Sequence, residues 1–127
     1  MATIVYFEIP SDNTERAGKF YGALFGWKTE KMQGSVEYLM FGTTDHNGKE
    51  VGGGGIMKRK TPDQGITNYI GVDSVEKYAK KVQELGGTVK VPKTEVQGFG
   101  WYAICTDTEN NTFGLWESSP QAQQQQH

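Results

Sequence analysis

Glu8 is the residue of this chain that most needs a chemical explanation. It stands inside Thr3 to Ile9, where Val5, Phe7 and Ile9 alternate with Ile4, Tyr6 and Glu8 at the two-residue period of a strand. A carboxylate on the concave face of such a strand is costly unless water, a cation or a hydrogen-bond donor satisfies it. The roles open to it are a general acid or base, an anchor for a cationic ligand, or a structural acid that is held by Tyr69 or Tyr6 or is simply hydrated. By the same alternation Tyr6, Tyr69 and Trp116 share the face of Glu8, while Val5, Phe7, Ile9, Phe113 and Leu115 face the other way. One acid among aromatic rings suits a small, partly apolar molecule, although aromatic residues in strands also serve as core.

Other reactive-looking residues carry less. Gly52 to Gly55 is not a phosphate loop, because no Gly-Lys-Ser/Thr follows and the run lies in a strand pattern. A bulge or close backbone approach accounts for it, and room for a ligand is the functional alternative. His46 belongs to a polar turn with nothing nearby to complete a catalytic pair. Cys105, within a strand, reads as a small buried hydrophobe rather than a nucleophile. No nucleophilic triad emerges.

These residues need elements to position them. Pro10 ends the first strand, Asp12 and Glu15 have the spacing of a capping box, and Ala17, Phe20, Tyr21 and Leu24 form a helical apolar stripe that closes at Gly26. Trp27 to Met32 and Val36 to Phe41 read as strands around a turn at Gln33-Gly34-Ser35. Thr43 to Glu50, containing His46-Asn47-Gly48, is a hairpin loop into a strand over Val51 to Lys58. The order then repeats. Asp73 and Glu76 follow Asp12 and Glu15 at an offset of 61, which also sets Ile66 on Val5, Ile70 on Ile9, Tyr78 on Ala17, Val82 on Tyr21 and Leu85 on Leu24. Strands over Ile66 to Val72, Thr88 to Lys93, Trp101 to Thr106 and Thr112 to Glu117 surround a helix over Ser74 to Leu85. The expected class is α+β: two tandem βαβββ units form curved mixed sheets around a cleft, with helices on the outer faces. One domain over residues 1–118 is expected, with units at about 3–58 and 66–118 and a linker at about 59–65. The polar ending, Gln121 to His127, falls in a disordered tail.

The 127 residues can bury a core without metal or disulfide help, and the net charge of −2 excludes a nucleic-acid partner held by a basic surface. The lone cysteine makes no internal disulfide, and the chain starts without an apolar leader, so a cytoplasmic protein with no membrane partner is expected.

The residues FEIP, the helix with ERAGKFY and FGW, the GGGGI strand and the closing TDTENNTFGLWE resemble the vicinal oxygen chelate superfamily, which includes glyoxalase, bleomycin-resistance proteins and extradiol dioxygenases. The resemblance covers about residues 3–118 and is nearest to the glyoxalase-related branch. It implies a small-molecule ligand in the cleft and a homodimer. The family's metal enzymes take ligands from the first and last strand of each unit, and the matching positions here are Tyr6, Thr67, Gly114 and Gly53, or Gly55 if the match slips by two. A phenol, a hydroxyl and two glycines make a poor metal set, so no metal and no cofactor are expected. A shifted match with Glu8, Tyr69 and Glu117 as ligands fails by alternation, because Glu117 shares a face with Phe113 and Leu115. The expected ligand-binding residues are therefore Tyr6, Glu8, Tyr69, Trp116, Thr67, Gly53 and Gly114. The resemblance leaves two functions open. One is binding or sequestration of a small molecule; the other is a metal-independent isomerase, epimerase or lyase using Glu8, with metal-dependent lyase or dioxygenase chemistry less favoured.

Overall fold

A computed structural model describes residues 2–32 and 37–120. The elements run β1 (Thr3–Ser11), α1 (Thr14–Phe25), β2 (Thr29–Lys31), β3 (Tyr38–Thr44), β4 (Glu50–Lys58), β5 (Thr67–Gly71), α2 (Val75–Glu84), β6 (Thr88–Val96), β7 (Gly100–Thr106) and β8 (Thr112–Ser118). This is the α+β class with the expected βαβββ order, twice. The turn expected at Gln33-Gly34-Ser35 and the polar ending from Gln121 lie outside the described residues.

One compact unit is Tyr6–Thr67; Asn68 and the described residues after it form the other together with the first residues of β1. In the first unit the strand order is β2-β3-β4-β1. β1 and β4 run parallel with Glu8 opposite Gly55, whereas β3 is antiparallel to β4 with Met40 opposite Gly55 and Tyr38 opposite Met57. In the second unit the order is β5-β8-β7-β6. Tyr69 lies opposite Gly114 in the parallel pair, and Tyr102 opposite Trp116 in the antiparallel one.

Each helix covers one sheet face. Ile9, Phe41 and Ile56 form the buried centre of the first unit, with Phe7, Ala17, Tyr21, Trp27 and Leu39 packed around them. The rings interlock, Trp27 stacking on Phe41 at 4.6 Å and Phe7 meeting Phe41 edge-on at 5.6 Å. Val75, Ala103, Cys105 and Leu115 form the second centre, under Tyr78, Ala79 and Val82 of α2. Phe7, Ile9, Phe113 and Leu115 thus lie where alternation puts them.

Four expectations need correction. Phe20 and Leu24 are 59% and 57% exposed. The sheet-facing side of α1 is centred on Thr14, Ala17, Gly18 and Tyr21, where a Cβ on Gly18 would come within 3.1 Å of Leu39, so the helix sits close and turns Phe20 and Leu24 outward. Leu85 is the C-cap of α2, beyond the packed face, and is 78% exposed. Val5 is exposed and rests against Gly71 instead of lying under a helix. Asp12 and Asp73 are not the helix caps. Asn13 Oδ1 accepts from the Arg16 amide at 2.9 Å and Ser74 Oγ from the Lys77 amide at 3.1 Å, which preserves the offset of 61 but moves both caps one residue on. Asp12 instead accepts from Arg59 at 3.2 Å, and Glu15 pairs with Lys19 along the helix at 3.7 Å.

Candidate functional site

The sheet face turned away from α1 carries Tyr6 and Glu8 from β1, Tyr38 and Met40 from β3, and Met57 from β4, all half-buried. Strand pairing fixes this row: Glu8, Gly55 and Met40 lie side by side, with Tyr38 beside Met57. A glycine in the middle of the row leaves a hollow, and the ring of Tyr38 fills it. A Cβ on Gly55 would overlap the Tyr38 hydroxyl and ring atoms. Seated there, the Tyr38 hydroxyl donates to Glu8 Oε2 at 2.8 Å, and Tyr6 Oη lies 2.6 Å from Tyr38 Oη. The result is a phenol–phenol–carboxylate chain across two strands. Glu8, expected to bond Tyr69 or Tyr6, therefore has a Tyr38 bond that the sequence reading missed. The missing signal was pairing: Tyr38 is 30 residues from Glu8, and only the register of β3 on β4 and β4 on β1 brings them together.

Burial dominates the acidity of both phenols. It pushes Tyr6 up from 10.0 to about 12, with the Glu8 charge adding to it and the Tyr38 hydrogen bond opposing. Tyr38 is pushed up further, by burial first and then by the Glu8 charge beside it. Both stay protonated at neutral pH and act as hydrogen-bond donors.

The counterpart face of the second unit carries Tyr69, Tyr102, Trp116 and Gly114. Tyr69 is buried at 8% exposure, and its ring covers Gly114 so closely that a Cβ there would overlap it. Trp116 is half-buried and its indole N–H donates to Ser118 Oγ at 3.1 Å. Thr67 is buried. A groove of about 370 Å³ near one end of this unit is lined by Glu95, Trp101, Ser119 and Pro120, among others, and by none of the residues singled out in the sequence.

Register also decides between Gly53 and Gly55. Tyr69 lies opposite Gly114 as Glu8 lies opposite Gly55, and Ile70 opposite Leu115 as Ile9 opposite Ile56, so Gly55 is the counterpart of Gly114. Gly53 is glycine for another reason: a Cβ there would run into the backbone carbonyl of Phe41. The positions at which the resemblance implies metal ligands thus hold a neutral phenol, a hydroxyl and two glycines whose side-chain space tyrosine rings occupy. That set does not fit a divalent metal. Glu117 is also spent elsewhere, its Oε1 accepting from the Val75 amide at the start of α2 at 3.0 Å and lying 4.0 Å from Lys93 Nζ. Among the described residues, no group of three or more His, Cys, Asp and Glu is placed to hold a metal. His46 is exposed in its turn, and Cys105 is buried with its thiol pushed up by burial. Among the described residues, no helix is long and apolar enough to cross a membrane.

Residues 3–44 match the family model described as bleomycin resistance protein-like N-terminal. A glyoxylase-like domain-containing protein of Didymella fabae is 31% identical over 115 residues, covering 85% of this chain and 88% of its own length. The CFP32 protein of Mycobacterium tuberculosis (strain CDC 1551 / Oshkosh), which carries a provisional glyoxylase name, is 27% identical over 117 residues. That match takes in 90% of this chain but 45% of CFP32, so the chain spans under half the length of this relative. Among solved structures, a methylmalonyl-CoA epimerase in complex with methylmalonyl-CoA and ammonium superposes with a TM-score of 0.73 at 14% identity, over 94% of this chain and 96% of the epimerase. At that identity the likeness is one of fold.

Proposed function

This chain belongs to the glyoxylase-like branch of the vicinal oxygen chelate superfamily, and on that premise we propose that it binds a small organic molecule, without a catalytic metal, on the Tyr6–Glu8–Tyr38 face of its first unit. The observation that carries this reading is the hydrogen-bonded chain itself: Tyr6, Tyr38 and Glu8 joined at 2.6 and 2.8 Å on a half-buried face. A buried polar network framed by apolar side chains orients a ligand's polar group, while the thioethers of Met40 and Met57 adapt to its apolar part. Thr67 is proposed as a further contact of this unit, and Tyr69, Trp116 and Gly114 are proposed as ligand contacts on the counterpart face of the second unit, taken by itself.

A screen of small metabolites by thermal shift tests it. Glu8→Gln and Tyr38→Phe are expected to weaken each hit by about tenfold or more, the scale of one hydrogen bond to a charged group. Hits whose affinity neither variant changes would place binding elsewhere. Elemental analysis of purified protein should find far less than one zinc, nickel, iron or manganese per chain. A value near one, lost on replacing Tyr6 or Glu8, would overturn the metal-free reading.

The same chain supports a second reading, as an isomerase, epimerase or lyase. In this reading Glu8 is the acid or base that moves a proton on the bound molecule. Turnover abolished in Glu8→Gln with ligand affinity retained would favour it. We also propose a homodimer, supported by the exposed Phe20, Leu24 and Phe25 of α1. Sedimentation as a monomer at all concentrations would count against it.

A further inference from the structure

We propose that the groove at the β6–β7 turn of the second unit is a further binding site, and that it takes a small organic cation: a primary ammonium or guanidinium group on an apolar body. None of its residues belongs to the Tyr6–Glu8–Tyr38 face.

Strand pairing sets the charges. Glu95 of β6 lies opposite Trp101 of β7, and Trp101 lies opposite Glu117 of β8, so an indole stands between two carboxylates in one row. The two acids differ in what they hold. Glu117 Oε1 accepts from the Val75 amide at 3.0 Å and lies 4.0 Å from Lys93 Nζ, and that same ammonium sits 5.0 Å from the centre of the Trp101 ring. Lys93 therefore answers Glu117 and covers the indole. Glu95 is exposed, and its side chain makes no ion pair or hydrogen bond among the described residues. The row is left with one carboxylate in excess, and that carboxylate lines the groove.

The hollow is a product of glycine and of a fixed turn. The Phe99 amide donates to the Val96 carbonyl at 2.9 Å and closes the turn, while the Ser119 amide donates to the Phe99 carbonyl at 2.9 Å and holds the end of β8 against it. Gly98 takes φ 85° in the turn, and a Cβ on it would meet nothing within 4 Å; a Cβ on Gly100 would overlap the Glu117 carbonyl. Both glycines line the groove with bare backbone, alongside the Trp101 indole and the Pro120 ring. Its volume of about 370 Å³ is that of a small-molecule site. The two rings can bury the apolar body of a ligand. Glu95 supplies the uncompensated charge, so a cation is attracted and an anion repelled, and because Lys93 already holds the indole the incoming cation goes to the carboxylate.

Three probes of one shape test this: benzylamine, benzyl alcohol and benzoate, titrated into the full chain while the indole N–H signals of its three tryptophans are followed by NMR. Trp101→Phe assigns the Trp101 signal. Benzylamine, charged at neutral pH, should shift that signal saturably and bind about fivefold more tightly than benzyl alcohol, the upper scale of an exposed ion pair. Benzoate should leave it in place, and added salt should weaken the amine alone. Glu95→Gln should erase the preference for the amine, and Glu95→Lys, the second variant, should put benzoate ahead of it. Alcohol binding as tightly as the amine at Trp101 would overturn the selection by charge. No shift at Trp101 with any probe, or shifts confined to Trp27 and Trp116, would overturn the site and leave the reading of the first unit standing. A preference for the amine that survives in both variants would overturn Glu95 as its source.

Discussion

The two units build the same row of strand neighbours and fill it differently. In the first, Glu8 lies opposite Gly55, and the ring above the glycine comes from Tyr38, two positions along the neighbouring antiparallel strand. In the second, Tyr69 lies opposite Gly114 and covers that glycine with its own ring. A carboxylate is too small to close the space over a glycine, so a tyrosine from the next strand closes it and delivers its hydroxyl to the carboxylate. A tyrosine at the same place closes the space unaided and leaves an aromatic surface with Tyr102 and Trp116. One exchange on a central strand turns a packed face into a polar relay. The glycines are what both solutions share, since each leaves the space that a tyrosine ring fills.

The cores beneath these faces should be equivalent, and that is the comparison with the largest expected effect. Leu115→Ala and Ile56→Ala remove counterpart residues that are 3% and 0% exposed, and each should cost about 2–5 kcal/mol of stability in denaturant unfolding. Trp116→Ala, on the opposite face and half-buried, should cost less than Leu115→Ala; the reverse order would mean that the faces of β8 are exchanged.

Seating of the two tyrosines comes next. Gly55→Ala and Gly114→Ala should each destabilise by about 1–3 kcal/mol through overpacking. Combining Gly55→Ala with Tyr38→Ala, or Gly114→Ala with Tyr69→Ala, should recover part of the loss in a double-mutant cycle, and strict additivity would dismiss the seating. Smaller still are the helix caps. Asn13→Ala and Ser74→Ala should each cost about 1 kcal/mol, whereas Asp73→Ala should cost less than Ser74→Ala.

The last difference is silent at neutral pH. A phenol with its folded-state value raised from 10.0 to about 12, as in Tyr6, gives stability that is complete below pH 10 and is lost as pH rises through the folded value. Stability should therefore fall between about pH 10 and 12. Tyr6→Phe and Tyr38→Phe should flatten that fall, and an identical alkaline profile in both variants would remove the linkage.

Local regularities in the chain were enough for the repeat, the order of the elements and the division of β1 and β8 into two faces. Strand alternation has a period of two and shows within a single strand, and the cap spacing recurs at an offset of 61, which comparing the chain with itself reveals. The caps themselves were misplaced by one residue, because Asp12-Asn13 and Asp73-Ser74 each offer two acceptors and only the helix geometry chooses between them. The exposed Phe20 and Leu24 were misjudged because an apolar stripe gives the helix a phase but not the depth at which Gly18 lets it sit. Tyr38 was not legible at all. Its bond to Glu8 depends on two strand registers and on the hollow over Gly55, and a register is a property of pairs of strands that no single stretch of sequence contains. The sequence by itself determined that an acid would stand on the face turned away from the helix; tertiary pairing decided that the Tyr38 hydroxyl would lie beside it, because strand register is set between strands and not within one.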